Sequence, residues 1–226
     1  MDIFVRGLMD IAAKLESEPI EIVGRLVVAS NASLFCKIGD LNAIYKPIAG
    51  ERPLWDFPDG NLASREVAAY KVSEALGLHC VPHTLLRDGP YGLGSVQLWI
   101  DDVEDVGERY LEASPELRKI ALLDAVINNT DRKIGHLLYK NGQIFGCDHG
   151  VTFHQEFKLR TVLWQFADRP LTSDEILQLR DFECDLSDLI TDLEISALHH
   201  RIDELLKVNK FPLPPVDWPA IPWPPF

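Results

Sequence analysis

The chain has 226 residues, a length that suits one large domain or two small lobes that share a cleft. Hydrophobic residues make up 46% and charged residues 25% of the sequence, as in ordinary globular proteins, and no apolar run is long enough to cross a membrane. The net charge of −13 argues against nucleic acid and against anionic membrane surfaces, because both bind stripes of Lys and Arg. We therefore expect neither nucleic acid binding nor membrane insertion.

The N-terminus and the cysteines predict a cytoplasmic protein. Segment 1–19 has the pattern of an amphipathic helix and lacks the hydrophobic region and the cleavage site of a signal peptide. The cysteines are isolated, without a CxxC pair, and three of them lie in apolar stretches where buried free thiols are common: Cys36, Cys80, Cys147 and Cys184. Isolated cysteines of this kind are typical of a reducing compartment.

The first half of the chain predicts five strands and one inserted helix. After the N-terminal helix, strands are expected at IEIVGRLVVAS, SLFCKI and LNAIYKP, the last two joined by a turn at Gly39-Asp40. A loop rich in Pro, Gly and aromatic residues follows, and then a helix over SREVAAYKVSEALGL with Ser64 as its expected N-cap. Two further strands, VPHTLLRD and GSVQLWI, complete the set.

The second half predicts helices. An acidic connector, DDVEDVGERY, leads to a helix over SPELRKIALLDAVINN with Ser114 at its N-cap and Pro115 in its first turn. A helix over TSDEILQLRDF has Thr172 and Glu175 in capping-box register. A long helix over LSDLITDLEISALHHRIDELLKV follows.

This order of elements predicts an α+β protein of two lobes with a ligand site between them. The expected units are a β-rich N-lobe over 1–100, a mainly helical C-lobe over 101–210 and a tail over 211–226. The prolines of the tail predict an extended or polyproline-like conformation. Trp218 and Trp223 would dock either on the protein's own surface, which we favour, or in the groove of a partner.

A hairpin brings charged residues together between two of these helices. The segment LLYKNGQIFG contains Asn141-Gly142, a strong hairpin signal because both turn residues must take positive φ. The strand pairing makes His136 and Asp148 neighbours, and Asp131 lies one short loop away. Two carboxylates and an imidazole at one end of a hairpin can hold a divalent cation, although acidic residues also serve as ordinary turn or cap residues there.

Five motifs follow one another between about residues 22 and 165: YKPIAGERP, SREVAAYKVSEALGLHCVPHT, GSVQLWIDDVED, NNTDRKIGHLL and GCDHGVTF. In this order they resemble the phosphatidylinositol 3-/4-kinase-like branch of the protein-kinase fold. The nearest match is the type II phosphatidylinositol 4-kinases and related uncharacterised bacterial proteins. The resemblance implies a two-lobed protein-kinase-like fold with a catalytic β-hairpin, and a phosphotransferase that uses ATP and a divalent metal, Mg²⁺ or Mn²⁺.

The resemblance also implies roles for individual residues. Lys46 would bind the ATP phosphates, and Glu66 would hold Lys46 in place. Asp131 would orient or deprotonate the attacking hydroxyl, Asp148 would be the main metal ligand, and His136 stands at the second metal-ligand position. The phosphate-covering turn and the adenine border would be formed by Ser30, Asn31 and Ser33 and by Leu98, Trp99 and Ile100.

Two departures from the family pattern bear on the activity. The family usually has Asn at the position of His136, and imidazole favours softer metals than Mg²⁺. The turn ASNASLF contains no glycine, so fewer backbone amides can approach the phosphates closely. The chain also lacks a basic patch and a cysteine-rich lipidation stretch, which argues against a membrane phosphoinositide as the acceptor. A small molecule, a polyol or a protein side chain is expected instead.

Three alternatives remain open from the sequence. The first is a catalytically weak or inactive nucleotide-binding module that regulates a partner. The second is a nucleotidyl transferase of the same fold, with ATP bound the other way round. The third is a metal hydrolase, which leaves Lys46 and Glu66 unexplained and would be built on His136, Asp148, His149 and His154.

Overall fold

A five-stranded antiparallel sheet dominates the first half of the structure, a computed structural model that describes residues 3–26 and 31–226. Helix α1 (Ile3–Ser17) precedes it, and its strands are β1 (Ile20–Arg25), β2 (Leu34–Ile38), β3 (Leu41–Pro47), β4 (Thr84–Gly89) and β5 (Gly92–Leu98). Their order in space is β1-β2-β3-β5-β4. Helix α2 (Leu62–Ala75) connects β3 to β4 and packs against β4 and β5.

The alternation of side chains along β3 decides which residues pack in the hydrophobic core and which lie on the opposite face of the sheet. Ala43 and Tyr45 pack with Leu15 of α1 and Val96 of β5 in one hydrophobic core. Successive side chains of a strand point to opposite faces, so Lys46 lies on the face opposite to Tyr45.

The second half consists mainly of helices arranged around a short hairpin. Its elements are α3 (Pro115–Ile127), β6 (Leu137–Lys140), β7 (Gln143–Gly146), α4 (Ser173–Arg180) and α5 (Asp192–Val208). Helix α3 packs against α2, α5 and β7 in a second hydrophobic core that joins both halves of the chain. Within residues 3–26 and 31–226, none of the helices has the length and apolarity that a membrane crossing requires.

The expected α+β arrangement is confirmed, with a β-rich half followed by a mainly helical half. The hairpin forms where the sequence predicts it, with positive φ at Asn141 (50°) and Gly142 (80°). Ser114 caps α3, and Thr172 forms the expected capping box with Glu175 at the start of α4. Local turn and cap chemistry therefore defines these boundaries.

Two predicted helix starts are wrong. Ser64 is not the N-cap of α2: the cap is Asn61, whose side chain accepts a hydrogen bond from the Ser64 N–H at 2.7 Å. The last long helix begins only at Asp192, because Thr191 supplies the N-cap and the stretch before it forms turns. In both places the N-cap is a polar residue within a few positions of the expected boundary.

The tail docks on the protein's own surface without forming a helix or a strand beyond residue 211. The backbone carbonyl of Ala220 accepts hydrogen bonds from the Thr161 N–H at 3.0 Å and the Trp164 indole N–H at 2.7 Å. Trp218 is half-buried, whereas Trp223 is 88% exposed. The preference for self-docking is thus confirmed for Trp218 and wrong for Trp223.

We predict that Glu194→Gln lowers the free energy of unfolding by about 3 kcal/mol. Arg65 of α2 and Glu194 of α5 form a buried ion pair, with side chains 2% and 6% exposed, and the amide leaves the Arg65 charge without its counter-ion. Urea unfolding measures the change. The control is Asp168→Asn in the exposed pair with Lys210, where we expect a loss below about 1 kcal/mol. Equal losses in the two variants would contradict this prediction.

Candidate active site

A cleft with a volume of about 460 Å³ opens where the end of β3, the start of α2 and the segment after the hairpin meet. The residues that line it come from segments far apart in the sequence, and folding brings them together. Seven of the predicted site residues lie there: Asn31, Ser33, Lys46, Glu66, Asp131, His136 and Asp148.

Lys46 is the centre of the charge network in this cleft. Its Nζ donates hydrogen bonds to Glu66 Oε1 at 2.5 Å and to Asp148 Oδ1 at 2.8 Å. Burial alone would lower the pKa of Lys46, but the carboxylates of Asp148 and Glu66 outweigh it and raise the pKa. Gly94 of β5 lies so close that a Cβ there would be 2.4 Å from the Lys46 carbonyl oxygen, so the position of Lys46 depends on this glycine.

Glu66 ties α2 to the segment that follows the hairpin. Its side chain is only 3% exposed, and both of its oxygens have partners. Oε1 accepts from Lys46, and Oε2 accepts from the backbone N–H of His149 at 2.9 Å. Burial raises the pKa of Glu66, whereas the Lys46 ammonium and the His149 N–H oppose that rise. Glu66 therefore sets the spacing between β3 and the Asp148-His149 segment.

Asp148 has an unusual backbone conformation at the mouth of the cleft. Its φ of 59° lies in the left-handed region, which Asp tolerates better than most residues and which recurs at functional sites. Its carboxylate is 54% exposed, and Oδ2 lies 3.5 Å from His136 Nε2. The Lys46 ammonium holds the pKa of Asp148 well below its usual range, so the carboxylate is ionised at neutral pH.

His136 is a neutral imidazole at neutral pH, because burial lowers its pKa to about 4 although Asp148 opposes that shift. Its Nδ1 accepts a weak hydrogen bond from the Lys133 N–H at 3.4 Å, so metal binding through Nε2 requires the other tautomer. In the part of the chain that the structure describes, no group of three His, Cys, Asp or Glu side chains is placed to hold a metal ion. Phosphate oxygens or water would complete a coordination shell here.

The loop after α3 presents Asp131. The Asp131 N–H donates to Asn129 Oδ1 at 3.0 Å, and Asn129 Nδ2 donates to the buried carboxylate of Asp124 at 2.9 Å. Burial raises the pKa of Asp131, whereas Lys133, whose Nζ lies 3.3 Å from Asp131 Oδ2, opposes that rise. A carboxylate with a raised pKa is a suitable acceptor for the proton of a hydroxyl.

Sequence reasoning missed Arg132, which is fully buried behind the hairpin. Its guanidinium donates to the Asp124 carboxylate at 2.9 Å, to the Cys147 carbonyl at 2.8 Å and to His149 Nε2 at 2.7 Å. Arg132 thus holds both chain neighbours of Asp148. The available signal was the polar run NNTDR after an apolar helix, because buried polar residues must bond to one another.

The expected adenine contacts are not among the residues that line the cleft. Leu98 packs at the edge of the core under α1, and Trp99 packs edge-on against Phe35 with ring centroids 5.3 Å apart. A role of Leu98, Trp99 and Ile100 toward adenine therefore stays a prediction. Ser30 lies outside the described residues, as does the end of the first expected strand.

The four residues of the hydrolase alternative do not converge. His149 is buried and bonded to Arg132, whereas His154 packs edge-on against Phe57 with ring centroids 5.3 Å apart. His136 and Asp148 alone face each other in the cleft.

Similar structures show the class to which the fold belongs, although no family model matches the chain. The structure of hydra Fam20 with sugar has a TM-score of 0.61, 13% identity, and coverage of 88% of this chain and 87% of its own. The Golgi casein kinase has a TM-score of 0.56 and 14% identity, and the match covers 92% of this chain and 75% of the kinase chain. For its form with Mn/ADP bound, the TM-score is 0.55 and the identity 13%, and the match covers 90% of this chain and 75% of the kinase chain. At such identities the likeness shows the fold alone. The expected protein-kinase-like fold is confirmed.

Sequence comparison then places the chain more closely. It belongs to the family of Protein Rv2133c from Mycobacterium tuberculosis, to which it is 38% identical over 92% of this chain and 94% of the relative. Phosphatidylinositol 4-kinase gamma 4 from Oryza sativa subsp. japonica is 32% identical over 130 residues, which are 47% of this chain and 23% of that protein. The second match thus spans less than a quarter of the plant protein.

We predict that His136→Asn reduces the slope with which the free energy of unfolding falls as the pH is lowered below about 6.5. Below its ordinary pKa of 6.5, His136 takes up a proton when the protein unfolds, so its contribution is complete above that pH and is lost as the pH falls toward about 4. For each proton taken up on unfolding, the free energy of unfolding changes by about 1.4 kcal/mol per pH unit. Urea unfolding from neutral to mildly acidic pH measures the slope.

The matched control for this prediction is the exposed His200, changed to Asn. We expect His200→Asn to keep the slope of the wild type. A His136→Asn variant with the same slope would contradict the prediction.

Proposed function

We propose that this chain is an ATP- and divalent-metal-dependent phosphotransferase of the phosphatidylinositol 3-/4-kinase-like branch, with a hydroxyl acceptor that is not a membrane phosphoinositide. The observation that carries the proposal is the position of Lys46, which donates to both Glu66 and Asp148 in a cleft that Asp131 also lines. A site that only binds nucleotide has no need of a base such as Asp131. The match with the plant phosphatidylinositol 4-kinase supports the same branch.

In this proposal the two halves of the chain contribute different groups. Residues 1–100 bind the phosphates of ATP, with Lys46 as a fixed cation and Asn31 and Ser33 beside it. Residues 101–210 supply Asp131 and the metal ligands. Fixed cations of this kind stabilise the charge that develops on a transferred phosphoryl group.

The donor atoms present fit a divalent cation held together with a nucleotide. Asp148 supplies an ionised, half-exposed carboxylate, and His136 supplies a neutral imidazole. When bound, Mg²⁺ or Mn²⁺ would offset the charge of the phosphate oxygens. The imidazole makes Mn²⁺ the better match of the two.

The transfer step needs positioning and one proton acceptor. The acceptor hydroxyl oxygen forms a bond to the γ-phosphorus, the bond from that phosphorus to the bridging oxygen breaks, and ADP leaves with the electron pair. Asp131 orients the hydroxyl and takes its proton, which its raised pKa favours.

A regulatory module that binds nucleotide without turnover is the second candidate. Two features of the sequence favour it: His136 stands where the phosphatidylinositol 3-/4-kinase-like family usually has Asn, and the segment ASNASLF contains no glycine. Transfer of a nucleotidyl group is distinguished by the label that reaches the acceptor, since ATP labelled at the α-phosphate marks that reaction and ATP labelled at the γ-phosphate marks phosphoryl transfer.

We predict that the wild type binds ATP with Mg²⁺ or Mn²⁺ and hydrolyses it slowly, and that Asp148→Ala and Lys46→Ala each reduce turnover roughly 10²-fold or more. Each change removes a charge that faces the phosphates. Calorimetry measures binding, and release of labelled phosphate measures turnover. The control is Lys37→Ala, which removes an exposed lysine of β2.

The outcomes of this experiment separate the candidates. A wild type that binds no nucleotide with either metal would contradict both kinase-fold proposals. Binding without turnover or transfer would instead support the regulatory module.

We predict that His136→Asn shifts the metal preference of turnover from Mn²⁺ toward Mg²⁺, because an amide oxygen replaces a nitrogen ligand. The ratio of ATP turnover with the two metals, measured at matched protein concentration, checks this. An unchanged ratio would show that His136 does not contact the metal.

A further inference from the structure

Three cations line the cleft, and among the described residues one of them forms no salt bridge. Lys46 is shared between Glu66 and Asp148, and the Nζ of Lys133 lies 3.3 Å from the Asp131 carboxylate. The third cation is Arg160. Its charge is therefore available to a ligand.

The chain holds the Arg160 backbone beside the loop that carries Asp131. The Arg160 N–H donates to the Asn129 carbonyl at 2.9 Å, and the Arg160 carbonyl accepts from the Arg132 N–H at 3.1 Å. These two bonds bracket Asp131 in the sequence. They fix the backbone of Arg160 relative to the proposed base.

The side chain of Arg160 is also held in place. Its Nε donates to the Thr130 carbonyl at 2.7 Å, and its guanidinium carbon lies 5.4 Å from the ring centroid of Trp218 in the tail. Within the described part of the chain, its Nη1 and Nη2 atoms make no hydrogen bond. A planar guanidinium with its terminal nitrogens available is suited to bidentate contact with a carboxylate or a phosphate.

We infer that Arg160 binds an anionic group on the hydroxyl acceptor, so that the substrate class is a hydroxyl compound that carries a carboxylate or a phosphate. The inference rests on the proposed function, because it assigns Arg160 to the acceptor whose hydroxyl faces Asp131. An anionic acceptor needs a local cation such as Arg160, because the net charge of −13 repels anions from the protein as a whole. Binding at Arg160 would keep the hydroxyl beside its proton acceptor.

The test uses the full chain with its nucleotide site filled by a nonhydrolysable ATP analogue and Mn²⁺, so that the γ-phosphate position is occupied. The probes are glycerol 3-phosphate and glycerate, each compared with glycerol, which has the hydroxyl groups without the charge. Calorimetry measures their binding. We expect at least one anionic probe to bind at least about tenfold more tightly than glycerol, and Arg160→Gln to remove that difference.

Two further variants refine the comparison. Arg160→Lys keeps the charge without the planar fork, so we expect it to retain part of the preference. Arg169→Gln removes an exposed arginine that does not line the cleft, and we expect it to behave as the wild type. Binding of the ATP analogue shows in each variant that the cleft is folded.

Each outcome decides between specific claims. A wild type that binds neither the ATP analogue nor the probes contradicts the proposed function itself. A wild type that binds the analogue but shows no preference for either anionic probe overturns the inference about Arg160 alone. A preference that persists in Arg160→Gln also overturns it, because the anion is then held elsewhere.

Discussion

The geometry of the cleft depends on one constraint, the sharing of the Lys46 ammonium between Glu66 and Asp148. A charge that is largely removed from water, as in the Lys46 side chain at 20% exposure, is stable only when opposite charges or hydrogen bonds surround it. Glu66 is itself shared, because its second oxygen accepts from the His149 N–H. These bonds connect β3, α2 and the segment after the hairpin, which are not adjacent in the sequence. The arrangement leaves one excess negative charge among the three side chains, and Asp148 carries it toward solvent, where a cation can bind.

A second polar network, which is fully buried, supports the network of Lys46, Glu66 and Asp148. Arg132 and Asp124 are fully buried and bond to each other, and Arg132 reaches the Cys147 carbonyl and the His149 ring. Removing such charges from water costs free energy that an apolar pair would not, so the network is better explained by the positions it imposes than by the stability it adds. Those positions are the chain neighbours of Asp148 and, through Asn129, the backbone of Asp131.

Local signals in the sequence were sufficient for the hairpin, the succession of five strands along the chain and the N-caps of α3 and α4, because each depends on a few adjacent residues. Asn141-Gly142 is an example, since its two positive φ angles define the turn by themselves. The place of Arg160 could not be predicted, because it depends on backbone bonds to Asn129 and Arg132 about thirty residues away. The same holds for the tail, where prolines predicted an extended chain but not the carbonyl of Ala220 as its point of attachment.

The two ends of the cleft differ in charge, and this difference would constrain the proposed reaction. At the end where we propose that the nucleotide binds, the Lys46 ammonium already contacts two carboxylates, so phosphates would have to compete with Asp148 for it or arrive with a cation. At the other end, Arg160 lacks such a competitor among the described residues and lies next to a carboxylate whose pKa burial raises. The same guanidinium opposes that rise, so an anion bound to Arg160 would cancel part of its charge and make Asp131 a stronger base. In the proposed reaction, acceptor binding and proton removal would thereby be coupled through Arg160.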